Sequence, residues 1–287
     1  MGGFLCWSAW CQIPVANANE NDYHSPAIRQ EHKTDRQEKR MKKALKGAVL
    51  LGGLAAAAAA WAGPADYVYT PRVERGELEL DIKSGASYAA AGQSVRQESI
   101  GLGYGVSDNW FSEGYLKQER STGGTTIVNA EWENRFFLMA GDMLDIGFVA
   151  EVEAPLSGGN TPWEVRMGPL FQSMVGKVQF NYNLLFERAF GAADETGVPY
   201  ATNLGYQWQV RYHWLPDLQY GLQGFGEVGK WDHWDPASSQ NHRMGPALFG
   251  KLPLEGDESV KFNVAWLFGA STAAPGHTLR AQLEYEF

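Results

Sequence analysis

The chain has 287 residues, enough for one large all-β domain or two ordinary ones, and a net charge of -9 from 24 Lys and Arg against 33 Asp and Glu. The acidic excess grows from Gly63 onward, to 16 basic against 28 acidic side chains, which argues against a nucleic-acid partner. Both cysteines, Cys6 and Cys11, lie upstream of that point, so neither disulfides nor thiolate metal sites can support the rest of the chain.

Residues 1–40 are polar and charged from Asn17 on, show no amphipathic period, and read as a disordered extension from a start codon assigned too early. Residues 41–62 form a complete secretory signal peptide. Met41-Lys42-Lys43 gives the charged start, Gly47 to Ala60 the apolar run, and Ala60-Trp61-Ala62 the small-residue site, with cleavage between Ala62 and Gly63. The apolar run falls short of the ~20 residues that a bilayer-spanning helix needs.

From Gly63 to Phe287 the pattern is period two, with no helix-period segment. The clearest stretch is Tyr200 to Trp214, where Leu204, Tyr206, Trp208, Val210, Tyr212 and Trp214 share one face and Asn203, Gln207, Gln209, Arg211 and His213 the other. Successive strand side chains point to opposite sides, so this alternation requires one apolar and one polar environment. Aromatic residues at both ends of the apolar face match the interfacial girdles of a strand whose middle touches lipid.

Eleven further strands follow the same rule. The first runs from Glu74 to Lys83, with Leu78, Leu80 and Ile82 outward; the second, Arg96 to Val106, sets Ile100, Leu102 and Tyr104 against inward glycines that leave room for neighbours or substrate. The third, Trp110 to Gln118, is less regular, because Glu113 and Lys117 share a face with Tyr115. The fourth is Thr126 to Leu138, its outward face broken by Asn134, and the fifth Leu144 to Glu153. The sixth is Trp163 to Pro169 and the seventh Val178 to Phe186, while Leu218 to Val228, Met244 to Leu252, Val260 to Phe268 and the closing Leu279 to Phe287 follow the long alternating stretch. Compact Gly, Pro, Asn and Asp joins alternate with longer ones, as in outer-membrane barrels with short periplasmic turns. Only Pro253 to Ser259 is longer than its place requires.

The expectation is an all-β fold: a closed, transmembrane, antiparallel up-and-down β-barrel of about twelve strands, both termini periplasmic, exported to the outer membrane of a Gram-negative bacterium. Its partners there would be outer-membrane lipid and lipopolysaccharide, the barrel-assembly machinery and a small-molecule solute. Glu131, Glu133, Arg135, Asp145, Glu151, Glu153, Glu164, Arg166, Gln207, Gln209, Arg211, His213 and Glu227 are the candidate lumen-lining residues, able to set selectivity or to pair as a polar core. In an external loop, Trp231-Asp232-His233-Trp234-Asp235 places an imidazole between carboxylates and aromatics, a candidate ligand site. No nucleophile signature accompanies His213, His233, His242 or His277, so a hydrolase with an external-loop active site, like a purely structural barrel, is the alternative to a channel. No phosphate-cradling loop or zinc spacing calls for a cofactor or metal.

The final Leu283-Glu284-Tyr285-Glu286-Phe287 resembles the C-terminal assembly signal of outer-membrane proteins, carried by Leu283, Tyr285 and Phe287. Through Trp132-Glu133-Asn134-Arg135, the Asp145 to Glu153 strand and Gly245-Pro246-Ala247-Leu248, the chain also resembles the proteobacterial outer-membrane proteins of the phenol-degradation pathway (MetA-type). That resemblance implies a channel or transporter for small molecules, aromatic or hydrophobic ones among them, and supplies no catalytic residues.

Overall fold

A computed structural model of the chain describes residues 63–89, 92–157, 161–191, 200–256 and 258–287. The extension, the signal peptide and both cysteines lie outside the described residues. The strands are β1 (Leu78–Tyr88), β2 (Ser94–Ser107), β3 (Trp110–Ser121), β4 (Thr126–Met139), β5 (Asp145–Pro155), β6 (Trp163–Val175), β7 (Val178–Phe190), β8 (Asn203–Tyr212), β9 (Leu218–Lys230), β10 (His233–Trp234), β11 (Asn241–Pro253), β12 (Ser259–Gly269) and β13 (His277–Glu286).

Every long strand pairs antiparallel with its neighbour in sequence, β9 pairs with β11, and β13 returns to β1, so twelve long strands close a barrel with β10 as a two-residue appendage to β9. Closure leaves no unpaired sheet edge, the condition for a strand assembly in lipid. The alternation fixes the register, because a slip of one residue would turn each polar face outward. In β2 and β7 exposed and buried residues alternate along most of the strand, with Ile100, Leu102, Tyr104, Phe180 and Tyr182 exposed and Gln97, Ser99, Gln179, Asn181 and Asn183 buried. Leu102, Leu116 and Trp132, for example, are exposed on the outside while Asp81, Glu133 and Gln223 are buried within.

Most strands run one to several residues beyond the bounds read from the sequence, and three of the differences have a visible local cause. The first strand starts at Leu78 rather than Glu74, because Gly76 takes φ 82° and its N–H donates to Gly105 O (2.7 Å), turning the preceding chain inward. The sixth does not stop at Pro169 but runs to Val175, with Gly176 at φ 59° making the turn. The long alternating strand is shorter than Tyr200 to Trp214, ending at Tyr212 where Trp214 N–H folds back onto Tyr212 O (2.9 Å). Asn134, which interrupts an outward face, accepts a hydrogen bond from the Trp110 indole (3.0 Å) and is covered by it. In β3 the inward face carries Phe111 and Tyr115 beside Glu113 and Lys117, all of them buried.

Aromatic residues gather at both ends of the wall. Tyr182, Tyr206 and His242 stack in series toward one end of β8, and Tyr212, Trp214 and Tyr220 meet at the other.

Candidate functional site

Residues 63–77 form no strand. Pro64 and Pro71 each remove a backbone donor, and the segment runs as a strap inside the barrel from beside Gln97 to the start of β1. Inward glycines make the space it fills. A Cβ on Gly85 would strike the Pro64 carbonyl, one on Gly147 the Pro71 ring, and one on Gly105 the Glu74 carbonyl.

One side of the strap is held by charge. The Tyr67 hydroxyl donates to both carboxylate oxygens of Glu133 (2.8 Å each), and the Tyr69 hydroxyl to Glu151 Oε2 (2.7 Å). Asp66 faces Arg166 (3.5 Å), whose guanidinium also meets Glu151 (3.4 Å) and Glu187 (2.9 Å), and Arg72 pairs with Asp145 (2.7 Å). The Lys83 ammonium lies 3.8 Å from the Tyr67 ring centre and 3.7 Å from that of Tyr115. Burial first, then the Glu133 carboxylate for Tyr67 and Glu151 for Tyr69, hold both phenols well above their ordinary pKa, so they stay protonated donors. Hydrogen bonds to a charged acceptor contribute about 1.5–3 kcal/mol each.

The other contacts are apolar or neutral. Val68 packs into a patch of Phe225, Ala247, Phe249, Ala265 and Leu267 on the inner face of β9, β11 and β12. The Tyr69 ring packs on Val149, Leu170 and Leu185, a second inner patch on β5 to β7. The backbone of Tyr69 is bonded on both sides, its N–H to Gln207 Oε1 (3.3 Å) and its carbonyl to the Asn183 amide (3.0 Å). An amide ladder continues from there along β7 to β9: Gln179, Asn181, Gln209 and Gln223 bond in sequence, and Arg280 caps it on Gln223 (2.7 Å).

The sequence-derived lumen residues divide accordingly. Glu131, Glu133, Arg135, Asp145, Glu151, Arg166 and Glu227 lie on the inner face, several of them in direct contact with the strap. Glu153 shares Lys117 with Glu131 (2.5 Å each), and His213 Nε2 meets Gln179 (3.1 Å) just past the end of β8. Glu131, Glu151 and Glu153 are close enough to hold a cation, as are Glu77, Glu284 and Glu286, but Lys117 and Lys261 respectively supply the positive charge. Gln207 and Gln209 are buried in the amide ladder. Between the strap and the inner wall a cavity of about 360 Å³ opens among Glu79, Arg135, Arg211, Phe249, Lys261 and Glu284. There Arg211 lies over the Phe249 ring (4.0 Å), its Nε buried without a hydrogen-bond partner.

The remaining candidates stand apart from this core. Trp231, Asp232, His233, Trp234 and Asp235 sit on β10 and its flanks; Trp231 and Trp234 are exposed, and the group forms no metal-holding cluster among the described residues. His242 bonds to Tyr206 (2.9 Å) and Gln240 (2.9 Å), and His277 stacks on Tyr88. Leu283 and Phe287 are exposed on the outer face, where Tyr285 and Phe287 meet edge to face, and Phe287 N–H closes on Leu78 O (2.9 Å).

No protein-family model matches the chain, and no curated protein does. Solved structures share its fold. An outer membrane channel from Pseudomonas putida F1 is 12% identical at a TM-score of 0.54, covering 77% of this chain and 98% of its own. A KdgM porin is 9% identical at a TM-score of 0.48, covering 73% and 98%. The translocator domain of the autotransporter NalP from Neisseria meningitidis is 9% identical at 0.46, covering 91% and 97%.

Proposed function

We propose that the chain is an outer-membrane channel for small molecules, aromatic or hydrophobic ones among them, whose axial path is occupied by the strap. The observation that carries this reading is the inversion of the barrel: an apolar outer belt too large to face water, around an inner wall rich in charged and amide side chains. Export by the signal peptide at 41–62, with cleavage after Ala62, would make the strap the first segment of the mature chain. The barrel end that holds Leu78 and Phe287 would face the periplasm, with Leu283, Tyr285 and Phe287 read by the assembly machinery and the β10 end facing lipopolysaccharide.

The solute class rests on the two apolar patches of the inner wall, the features expected of a path for molecules like those implied by the resemblance to the phenol-degradation proteins. Glu133, Glu151 and Arg166 would select among solutes by charge as well as hold the strap. The test is single-channel conductance of the refolded Gly63 to Phe287 protein in planar bilayers, against the same protein lacking residues 63–73. The shortened protein is expected to conduct in larger steps that aromatic solutes reduce. A folded, shortened barrel with no conductance sinks the channel reading.

A further inference from the structure

Five cationic side chains line the cavity between the strap and the inner wall, and four of them have a carboxylate partner. Arg72 pairs with Asp145 (2.7 Å), Arg135 with Glu79 (3.6 Å) and Glu133 (3.1 Å), Lys251 with Glu286 (2.9 Å), and Lys261 with Glu77 (3.2 Å) and Glu284 (2.8 Å). Arg211 is the fifth. It forms no ion pair or hydrogen bond among the described residues; its guanidinium lies over the Phe249 ring (4.0 Å) and its Nε is buried. Glu284, the carboxylate whose field reaches it, is already held by Lys261.

Two further groups of this cavity lack a partner. Gln219 Oε1 and Asn263 Oδ1 line it, and both are buried without a hydrogen bond. Strand register explains why the three converge. Gln219 on β9 and Asn263 on β12 are the cross-strand partners of Phe249 on β11, one on each side of it. Arg211 on β8 is paired with Gly221, so no side chain from that partner stands between it and the ring. A cationic donor and two amide oxygens thus meet around one phenyl ring, beside Pro216 and Glu77 at the barrel end where β1 begins.

A buried polar atom without a partner is costly, a charged one more so, and a cation that holds nothing adds no rigidity to the wall. Water in the cavity can bond the two amides, but it brings no negative charge to the guanidinium. We infer that the cavity is a binding site for a small aromatic acid that also carries a hydroxyl, its carboxylate on Arg211 and its hydroxyl donating to Gln219 or Asn263. The planar guanidinium matches a carboxylate with two parallel bonds. Phe249, Phe111 and Tyr67 line the space between these groups, and about 360 Å³ holds a single-ring molecule. This rests on the channel reading and narrows its solute class.

The test uses protein extracted from the outer membranes of cells expressing the full chain, titrated in detergent with 4-hydroxybenzoate by calorimetry at neutral pH. 4-Hydroxybenzamide keeps the shape and the hydroxyl but not the charge, and is expected to bind about tenfold more weakly or worse, the loss of charge-assisted bonds. Benzoate, which lacks the hydroxyl, should bind about two- to tenfold more weakly. Neither comparison needs a variant. Arg211→Gln should lower 4-hydroxybenzoate affinity about tenfold or more and leave 4-hydroxybenzamide binding and urea unfolding unchanged, since Arg211 pairs with nothing in the free protein. The proposal is overturned if 4-hydroxybenzoate does not bind, if acid and amide bind equally, or if Arg211→Gln binds the acid like the parent or loses it only together with stability. Binding is read without transport, so failure of the channel reading has its own signature, a strap-deleted barrel that conducts nothing.

Discussion

The inner walls of β3 to β6 and of β9 to β12 face the same strap and hold it by different physics. The first meets Tyr67, Tyr69, Asp66 and Arg72 with carboxylates and a shared guanidinium; the second meets Val68 with methyl groups and phenyl rings. A buried ion network is costly to break once formed, because removal of one partner strands the others, whereas an apolar contact is lost in proportion to its area. The charged wall therefore sets the position of the strap, and the apolar wall adds a contact that any molecule of suitable shape could replace.

Removing Arg166 should break the first wall most severely. Arg166→Ala leaves Asp66, Glu151 and Glu187 without their common cation, and the barrel is expected to lose about 3–5 kcal/mol in urea unfolding from detergent micelles. A loss below about 1 kcal/mol would mean that the carboxylates are neutralised by protons and that the wall is not an ion network.

Tyr69→Phe keeps the ring on Val149, Leu170 and Leu185 and removes only the bond to Glu151, at an expected cost of about 1.5–3 kcal/mol to strap docking. In planar bilayers this appears as a greater than tenfold rise in open-state occupancy. Val68→Ala addresses the other wall and should cost about 1–2 kcal/mol, again read as open-state occupancy. Raised salt should leave the Val68→Ala effect unchanged, since no charge is involved. If Val68→Ala opens the channel more than Tyr69→Phe, the two walls have the opposite roles to those assigned here.

Much of the barrel is legible in the sequence because period two is imposed residue by residue. Glu133, Glu151 and Gln209 fall on the inner face because Trp132, Val152 and Trp208 fall on the outer one. The strap is not legible in the same way, since Gly63 to Val73 has neither period nor motif and its hydrogen bonds reach partners as distant in sequence as Gln207, 138 residues on. Its trace is indirect. Inward positions of an otherwise polar lumen carry Val149, Leu170, Leu185, Ala247 and Leu267, side chains that need an apolar partner, and Gly85, Gly105 and Gly147 mark where a backbone passes close by. The Arg211 Nε left without a hydrogen-bond partner is likewise a fact of geometry, since nothing in the alternation of β8 says which inward side chain will lack one.

The smallest effect expected is one of pH, and it isolates the strap's phenols from the rest of the charged wall. Burial and the neighbouring carboxylates raise the pKa of Tyr67 and Tyr69 above 10.0 when docked, while release into water returns both to it. The docked state thus binds protons more tightly than the released one. Its advantage is complete below pH 10.0 and is lost as pH rises from there through the docked pKa. Open-state occupancy should be flat through neutral pH and climb only in strong alkali, together with tyrosinate absorbance. The control is Tyr67→Phe with Tyr69→Phe. This pair raises occupancy at neutral pH by removing both bonds and should abolish the alkaline rise. If the rise persists in the double variant, the alkaline step does not belong to the strap's phenols, and their bonds to the carboxylate wall do not set the pH dependence of docking.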